Sequence, residues 1–161
     1  MSTRCQIEFV GKEGNAVDER ILVYRHSDGY PEGVVPDLKE FLKWNGGRIS
    51  DIEYTSANFI YWSKRRFEEL YYGDYFEEEK NKKWSEPQSY NSNLLLGFGI
   101  CEKDVFHGDI DYFYQVIVDI KWDNSMSSEV KSVKIKCYEV PYVDGKLKRS
   151  DFKLIDTIKI K

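Results

Sequence analysis

Apolar and polar residues alternate from Thr3 to Val10, with Cys5, Ile7 and Phe9 on one side and Arg4, Gln6 and Glu8 on the other. A period of two predicts a half-buried strand. Gly11-Lys12-Glu13-Gly14-Asn15 then reads as a turn. Arg20 to His26 carries Ile21, Leu22, Val23 and Tyr24 and predicts a second strand, paired with the first as an antiparallel hairpin with a long loop. Ser27 to Gly33 holds two glycines and Pro31, so the chain must bend there. Pro36 suits a first helical position, Asp37 suits the positive end of the helix dipole, and Leu38, Phe41 and Leu42 repeat at helical spacing. Gly46-Gly47 offers a left-handed stop, so the spacing predicts a helix over 36–45. Phe59, Ile60, Phe67, Leu70 and Tyr71 share one face of a second helix over 56–72, with Lys64, Arg65, Glu68 and Glu69 opposite.

Residues 77–90 are charged, then rich in Ser, Asn, Gln and Pro, and read as a surface loop. Beyond Leu94 the pattern becomes strand-like. Residues 94–101 are apolar with two glycines, and 110–122 give the strongest strand signal in the chain. Val130 to Val140 alternates again, Asp144-Gly145 signals a hairpin, and Phe152 to Ile160 reads as a last strand. The order is β-β-α-α-β-β-β-β. It predicts an α+β fold: a mostly antiparallel sheet of about six strands with two helices packed on one face. No repeat or linker interrupts the 161 residues, so 1–161 reads as a single globular domain.

Composition narrows the function classes. Twelve Tyr, nine Phe and four Trp supply ample side chains for a packed core, which excludes a disordered chain. The formal net charge of −4 leaves no surplus of Lys and Arg to displace counterions from nucleic acid, so any such contact would need a local basic patch. Cys5, Cys101 and Cys137 include no CxxC spacing, which argues against a zinc ribbon or thioredoxin-like site and favours free thiols in a reducing compartment. The first residues carry neither a basic n-region nor an apolar h-region, and no apolar run approaches the length of a membrane span. The expected location is cytoplasmic, with no membrane partner.

Ser2-Thr3-Arg4 and the segment Tyr24-Arg25-His26-Ser27-Asp28-Gly29-Tyr30-Pro31-Glu32-Gly33 carry a resemblance. The chain resembles a family of small proteins from phages, archaeal viruses and prokaryotic genomes. Its members begin with a Thr-Arg strand and carry a Tyr-Arg-His/Gln-x-Asp-Gly-Tyr-Pro-x-Gly segment. Gly97-Phe98-Gly99 and His107-Gly108-Asp109-Ile110-Asp111-Tyr112 are similar to the second half of such proteins. The resemblance covers about the first 45 residues and, more loosely, 94–118. It implies a cytoplasmic protein of a virus or mobile element, in the host cytoplasm if viral, and implies no reaction.

Both histidines stand in a His-x-Asp setting: His26 with Asp28, and His107 with Asp109 and Asp111. In extended chain, residues two apart point to one side. If the two strand ends meet, two imidazoles and three carboxylates would share a pocket suited to a divalent metal that activates water on a phosphodiester. Arg4 and Arg25, on paired strands, could then hold a phosphate. The plainer alternative keeps Asp28-Gly29 and Gly108-Asp109 as turns and pairs each arginine with a carboxylate across the sheet. The aromatic residues around Lys64-Arg65-Arg66 admit two readings as well. They could stack bases, or they could form a core face with an exposed remnant, Tyr61, Trp62, Tyr72 and Tyr75, suited to a protein interface. Two functions follow: an accessory binding protein of a virus or mobile element that engages a host protein, or a metal-dependent phosphoesterase or nuclease using His26, Asp28, His107, Asp109 and Asp111.

Overall fold

A computed structural model describes residues 2–71, 97–125 and 127–160, with side chains described up to Arg66 in the first stretch. Six strands form one mixed sheet: β1 (Cys5–Glu13), β2 (Ala16–Arg25), β3 (Phe98–Cys101), β4 (Tyr112–Trp122), β5 (Ser128–Glu139) and β6 (Lys153–Lys159). Their spatial order is β3-β2-β1-β4-β5-β6. Only β1 and β4 run parallel; every other neighbouring pair is antiparallel. Helices α1 (Pro31–Asn45) and α2 (Ile52–Tyr71) share one face of the sheet, α2 over β3-β2-β1 and α1 beside it toward Val130 and Val133 of β5. The α+β class, the six strands and their order along the chain agree with the sequence pattern.

The helix-covered face holds the main core. Alternation puts Cys5, Ile7 and Phe9 of β1 on it, and register carries the row outward to Val23, Tyr114, Val116, Ile135 and Cys137. Val34, Leu38, Phe41 and Leu42 of α1 and Ile52 and Phe59 of α2 close it. Phe9, Phe41 and Phe59 meet in tilted and edge-on contacts at 5.1–6.2 Å between ring centres, the geometry that aromatic quadrupoles favour.

Several elements depart from the sequence expectation, each for a physical reason. β1 and β2 run on through Gly11-Lys12-Glu13, with a register shift at Gly11/Lys12, and turn only at Gly14-Asn15. Gly14 adopts φ +59°, so the tight turn is available without strain. α1 begins at Pro31 rather than Pro36, because Pro31 follows an extended Tyr30 and takes the first helical position itself, leaving Pro36 inside the helix. α2 starts at Ile52, four residues early, because the Asp51 carboxylate accepts the Tyr54 N–H at 3.1 Å and caps it. The predicted loop over 77–90 lies outside the described residues. Asp144-Gly145 lies in the connection of the antiparallel β5–β6 hairpin but forms no tight turn between the strands. Residues 140–152 instead cross the second face of the sheet, because Val140, Leu147 and Phe152 have apolar surface to bury there.

That second face is closed as well. Phe106 and Ile110 from the β3–β4 connection join Leu22, Phe113, Val140, Leu147 and Phe152 in a smaller core. Gln6 and Glu8, expected on a solvated side, are therefore 0% and 1% exposed.

Gly29 anchors the segment between β2 and α1 to the sheet. Its N–H donates to Thr3 O at 3.0 Å and its carbonyl accepts from the buried Tyr114 hydroxyl at 2.8 Å. A Cβ here would stand 2.7 Å from the Arg4 carbonyl carbon and 2.9 Å from the Cys5 nitrogen. These are backbone atoms of a central strand and cannot step aside. Gly29→Ala is expected to destabilise the fold by about 1–3 kcal/mol, the usual cost of forcing an extra methyl into a packed site, measured as a lowered midpoint in urea.

Candidate functional site

The strand register lays out the second face in rows. Gly99, Tyr24, Gln6, Phe113 and Tyr138 form one row across β3, β2, β1, β4 and β5. Cys101, Leu22, Glu8, Gln115 and Lys136 form the next. Three polar side chains, Gln6, Glu8 and Gln115, thus sit at the middle of a sheet whose two faces are both covered. A buried carboxylate there must be matched by donors.

Arg149 does so. Its Nη1 and Nη2 donate to Glu8 Oε2 and Oε1, each at 2.7 Å, a two-pronged pair. Gln115 Nε2 adds a bond to Glu8 Oε2 at 2.7 Å, and Tyr138 OH donates to Gln115 Oε1 at 2.8 Å. Arg20 lies 3.7 Å from Glu8 Oε1. Arg149 Nη2 also donates to Asp104 Oδ1 at 2.7 Å, and the guanidinium sits over the Phe106 and Phe113 rings. Arg149 also lines an open polar groove of about 460 Å³, together with residues 17–20 of β2, Lys103 and Asp104.

Gln6 organises the neighbouring row. Its amide nitrogen donates to the Val105 carbonyl at 3.1 Å and lies 3.2 Å from Cys101 Sγ. Its oxygen accepts the His107 N–H at 3.1 Å. The His107 ring stacks on Tyr24, 4.6 Å between centres and 18° from parallel, with its Nε2 3.6 Å from Cys101 Sγ. On the other side of Tyr24, the hydroxyl meets His26 Nδ1 at 3.1 Å. Burial raises the Tyr24 phenol above its ordinary value, with the Asp109 charge adding to the rise. The two histidines are thus neighbours through Tyr24, one on its edge and one on its face.

The carboxylates do not join them. Asp28 adopts φ 52°, which breaks the extended geometry that would have put it on the same side as His26. Residues 107–111 precede β4 and are not extended strand either. Asp109 pairs with Arg4, and the Asp111 carboxylate accepts the Arg4 N–H at 3.2 Å. His26, Asp28, His107, Asp109 and Asp111 are therefore not gathered as one ligand set. Among the described residues no group of three or more His, Cys, Asp or Glu is placed to hold a metal ion.

Arg4 and Arg25 do not form a joint anion site. Arg25 is buried on the helix face, donating to Asp37 Oδ2 at 2.7 Å and to Ser27 O at 2.8 Å, while Arg4 serves Asp109 at the strand's start. Arg4 Nε is buried without a hydrogen-bond partner among the described residues.

The interface residues divide. Tyr61 is exposed on α2, whereas Trp62 packs on Phe41 with Arg66 over its ring; Tyr72 and Tyr75 lie outside the described residues. Gln6, Glu8, Tyr24, Cys101, Gln115 and Arg149 were not singled out by their sequence context. The available signal was β4: Tyr-Phe-Tyr-Gln-Val-Ile-Val is too continuously apolar for a strand with one wet face. A central strand covered twice implies that the polar residues beside it are buried and paired.

Compared with protein-family models, curated proteins and solved structures, the chain matches none.

Two outcomes test this network. Arg149→Ala strips the buried Glu8 carboxyl of its main partner and is expected to cost about 3 kcal/mol, a fall of about 6–12 °C in Tm for a chain of this size. Adding Glu8→Gln to Arg149→Ala should recover part of that loss, and a double variant no more stable than the single one would contradict the pairing. The hydrogen bond from Arg149 also holds the Asp104 carboxyl below its ordinary value of 3.8. A lowered folded value means that ionised Asp104 stabilises the fold fully above the ordinary value, and that this is lost as pH falls through the lowered one. Asp104→Asn should therefore be less stable than the parent at pH 7 and converge with it in acid, checked by thermal unfolding across pH 2–7.

Proposed function

We propose that this protein acts by binding a partner protein through the outer side of its helix pair. One observation carries the reading: Trp44, Tyr54 and Tyr61 are 54%, 56% and 54% exposed on α1 and α2. Three half-exposed aromatics on two adjacent helices whose core faces are already filled leave apolar surface for a partner to cover. Tyr54 and Tyr61 stand seven residues apart, on one stripe of α2. Asn45, next to Trp44, bonds Thr55 and Asn58 on that helix and holds the two helices together there.

Arginines accompany the rings. Arg48 lies over Tyr54 at 4.7 Å, and Arg65 Nη1 donates to the Tyr61 hydroxyl at 3.3 Å. Trp, Tyr and Arg are the side chains most enriched at the energetic centres of protein interfaces; Trp and Tyr bury much area for few rotatable bonds, and Arg brings a planar fork of donors. The resemblance to small proteins of viruses and mobile elements supports a finer reading, in which the partner is a host protein and this chain an accessory factor. A metal-dependent phosphoesterase draws less support, because Asp109 and Asp111 are engaged by Arg4. No described helix is long and apolar enough to cross a membrane.

The test is affinity capture from host extract with the parent protein and a Trp44→Ala/Tyr54→Ala/Tyr61→Ala variant, both treated with nuclease. A specific protein retained by the parent and lost from the variant, at a Tm within a few degrees of the parent, is the expected result. Equal capture by both proteins would overturn the assignment of this face.

A further inference from the structure

The three cysteines sit in different chemical settings. Cys5 and Cys137 are buried in the helix-side core, where desolvation pushes their thiols up to about 12 and about 11. Cys101 is only partly buried, on the second face, at the end of β3. It is also the thiol with an imidazole beside it: His107 Nε2 lies 3.6 Å from its Sγ and the Gln6 amide nitrogen 3.2 Å away.

We propose that Cys101 and His107 form a thiol–imidazole pair that makes Cys101 a site of exchange with small-molecule disulfides. The imidazole is held in place rather than loosely present. Phe106, the residue before it, is buried against Phe113 and Phe152. Its own N–H is fixed by Gln6 Oε1, and its ring lies flat on Tyr24. Three constraints from three elements aim Nε2 at the sulfur. Gly99 precedes Cys101 by two residues and so lies on the same side of β3. A side chain built there would meet nothing within 4 Å among the described residues. Among the described residues nothing therefore blocks an incoming disulfide at that position.

The step balances without any other oxidant. The Sγ–H proton passes to His107 Nε2. The thiolate attacks one sulfur of the incoming disulfide, whose S–S bond breaks as the bond to Cys101 forms. The departing sulfur leaves as a thiolate and takes up the proton from His107. Gln6 Nε2–H faces the sulfur while it carries charge. Burial raises the Cys101 thiol above its ordinary value, and the Gln6 hydrogen bond opposes that rise. The resting sulfur is thus protonated, and an adjacent base is what it needs to react.

The probe is an aromatic disulfide that releases a coloured thiolate, mixed with the folded protein at pH 7, with the modified residue mapped by mass spectrometry. One fast-reacting thiol is expected, at Cys101, absent in Cys101→Ser. His107→Ala, at an exposed position where Tm should fall by no more than a few degrees, should slow the reaction about a hundredfold, the lower end of what a positioned base contributes. Millimolar imidazole should restore part of the lost rate, an effect that loosened packing would not produce. Modification mapping to Cys5 or Cys137, or His107→Ala reacting at the parent's rate, would overturn the proposal.

Discussion

A carboxylate placed at the centre of a sheet covered on both faces dictates much of what surrounds it. Glu8 is 1% exposed, and a bare charge in that position would be far too costly to keep. Arg149 answers it from 141 residues further along the chain. The fork of the guanidinium fits both carboxylate oxygens at once, which a lysine ammonium cannot do. The same guanidinium reaches Asp104 and lies over Phe106 and Phe113, so one charge pair sets the position of both segments that cross the second face. Gln115 and Tyr138 complete the network from β4 and β5. Each donor and acceptor here depends on the others, so polar geometry fixes where the cover sits and apolar burial holds it there.

The sequence pattern made the architecture legible because alternation and helical spacing report burial on the larger core. Cys5, Ile7 and Phe9 announced the helix-covered face, and Leu38, Phe41 and Leu42 announced α1. The second face was hidden for a physical reason. Its cover consists of irregular segments, 102–111 and 140–152, which have no period to read. Gln6 and Glu8 looked solvated because alternation alone does not distinguish a wet face from a polar one that is paired and buried. The His-x-Asp segments misled in a related way. Two-residue convergence requires extended backbone, and both segments lie at strand ends where the chain turns. Whether His26 and His107 meet was left open by the sequence; that Tyr24 lies between them, and that Cys101 rather than an aspartate meets His107, depends on a β2–β3 register that no local pattern encodes.

The two surfaces that carry the functional proposals lie on opposite sides of the sheet. Trp44, Tyr54 and Tyr61 belong to the helix layer, while Cys101 and His107 belong to the second face. They share no hydrogen bond, and the main core of Ile7, Phe9, Val23 and Phe59 stands between them. A change at one is therefore separable from a change at the other, since distant sites without shared partners contribute nearly additively. The histidine and cysteine do share a support with the fold itself. Gln6 holds the Val105 carbonyl, the His107 N–H and the Cys101 sulfur together.

The parallel contact of β1 with β4 sets an order of events during synthesis. Cys5 pairs with Tyr112 and Lys12 with Asp119, so the first strand made waits longest along the chain for its second neighbour. Until the ribosome has passed β4, the nascent chain carries β1 with one open edge. Its apolar residues Ile7 and Phe9 have then only part of their final cover. At ordinary elongation rates of about 5–20 residues per second that interval lasts roughly 5–20 s. A strand exposed for so long is a natural client for holdase chaperones, and the yield of native protein in a cell should track the supply of those chaperones more closely than it tracks the final stability of the fold.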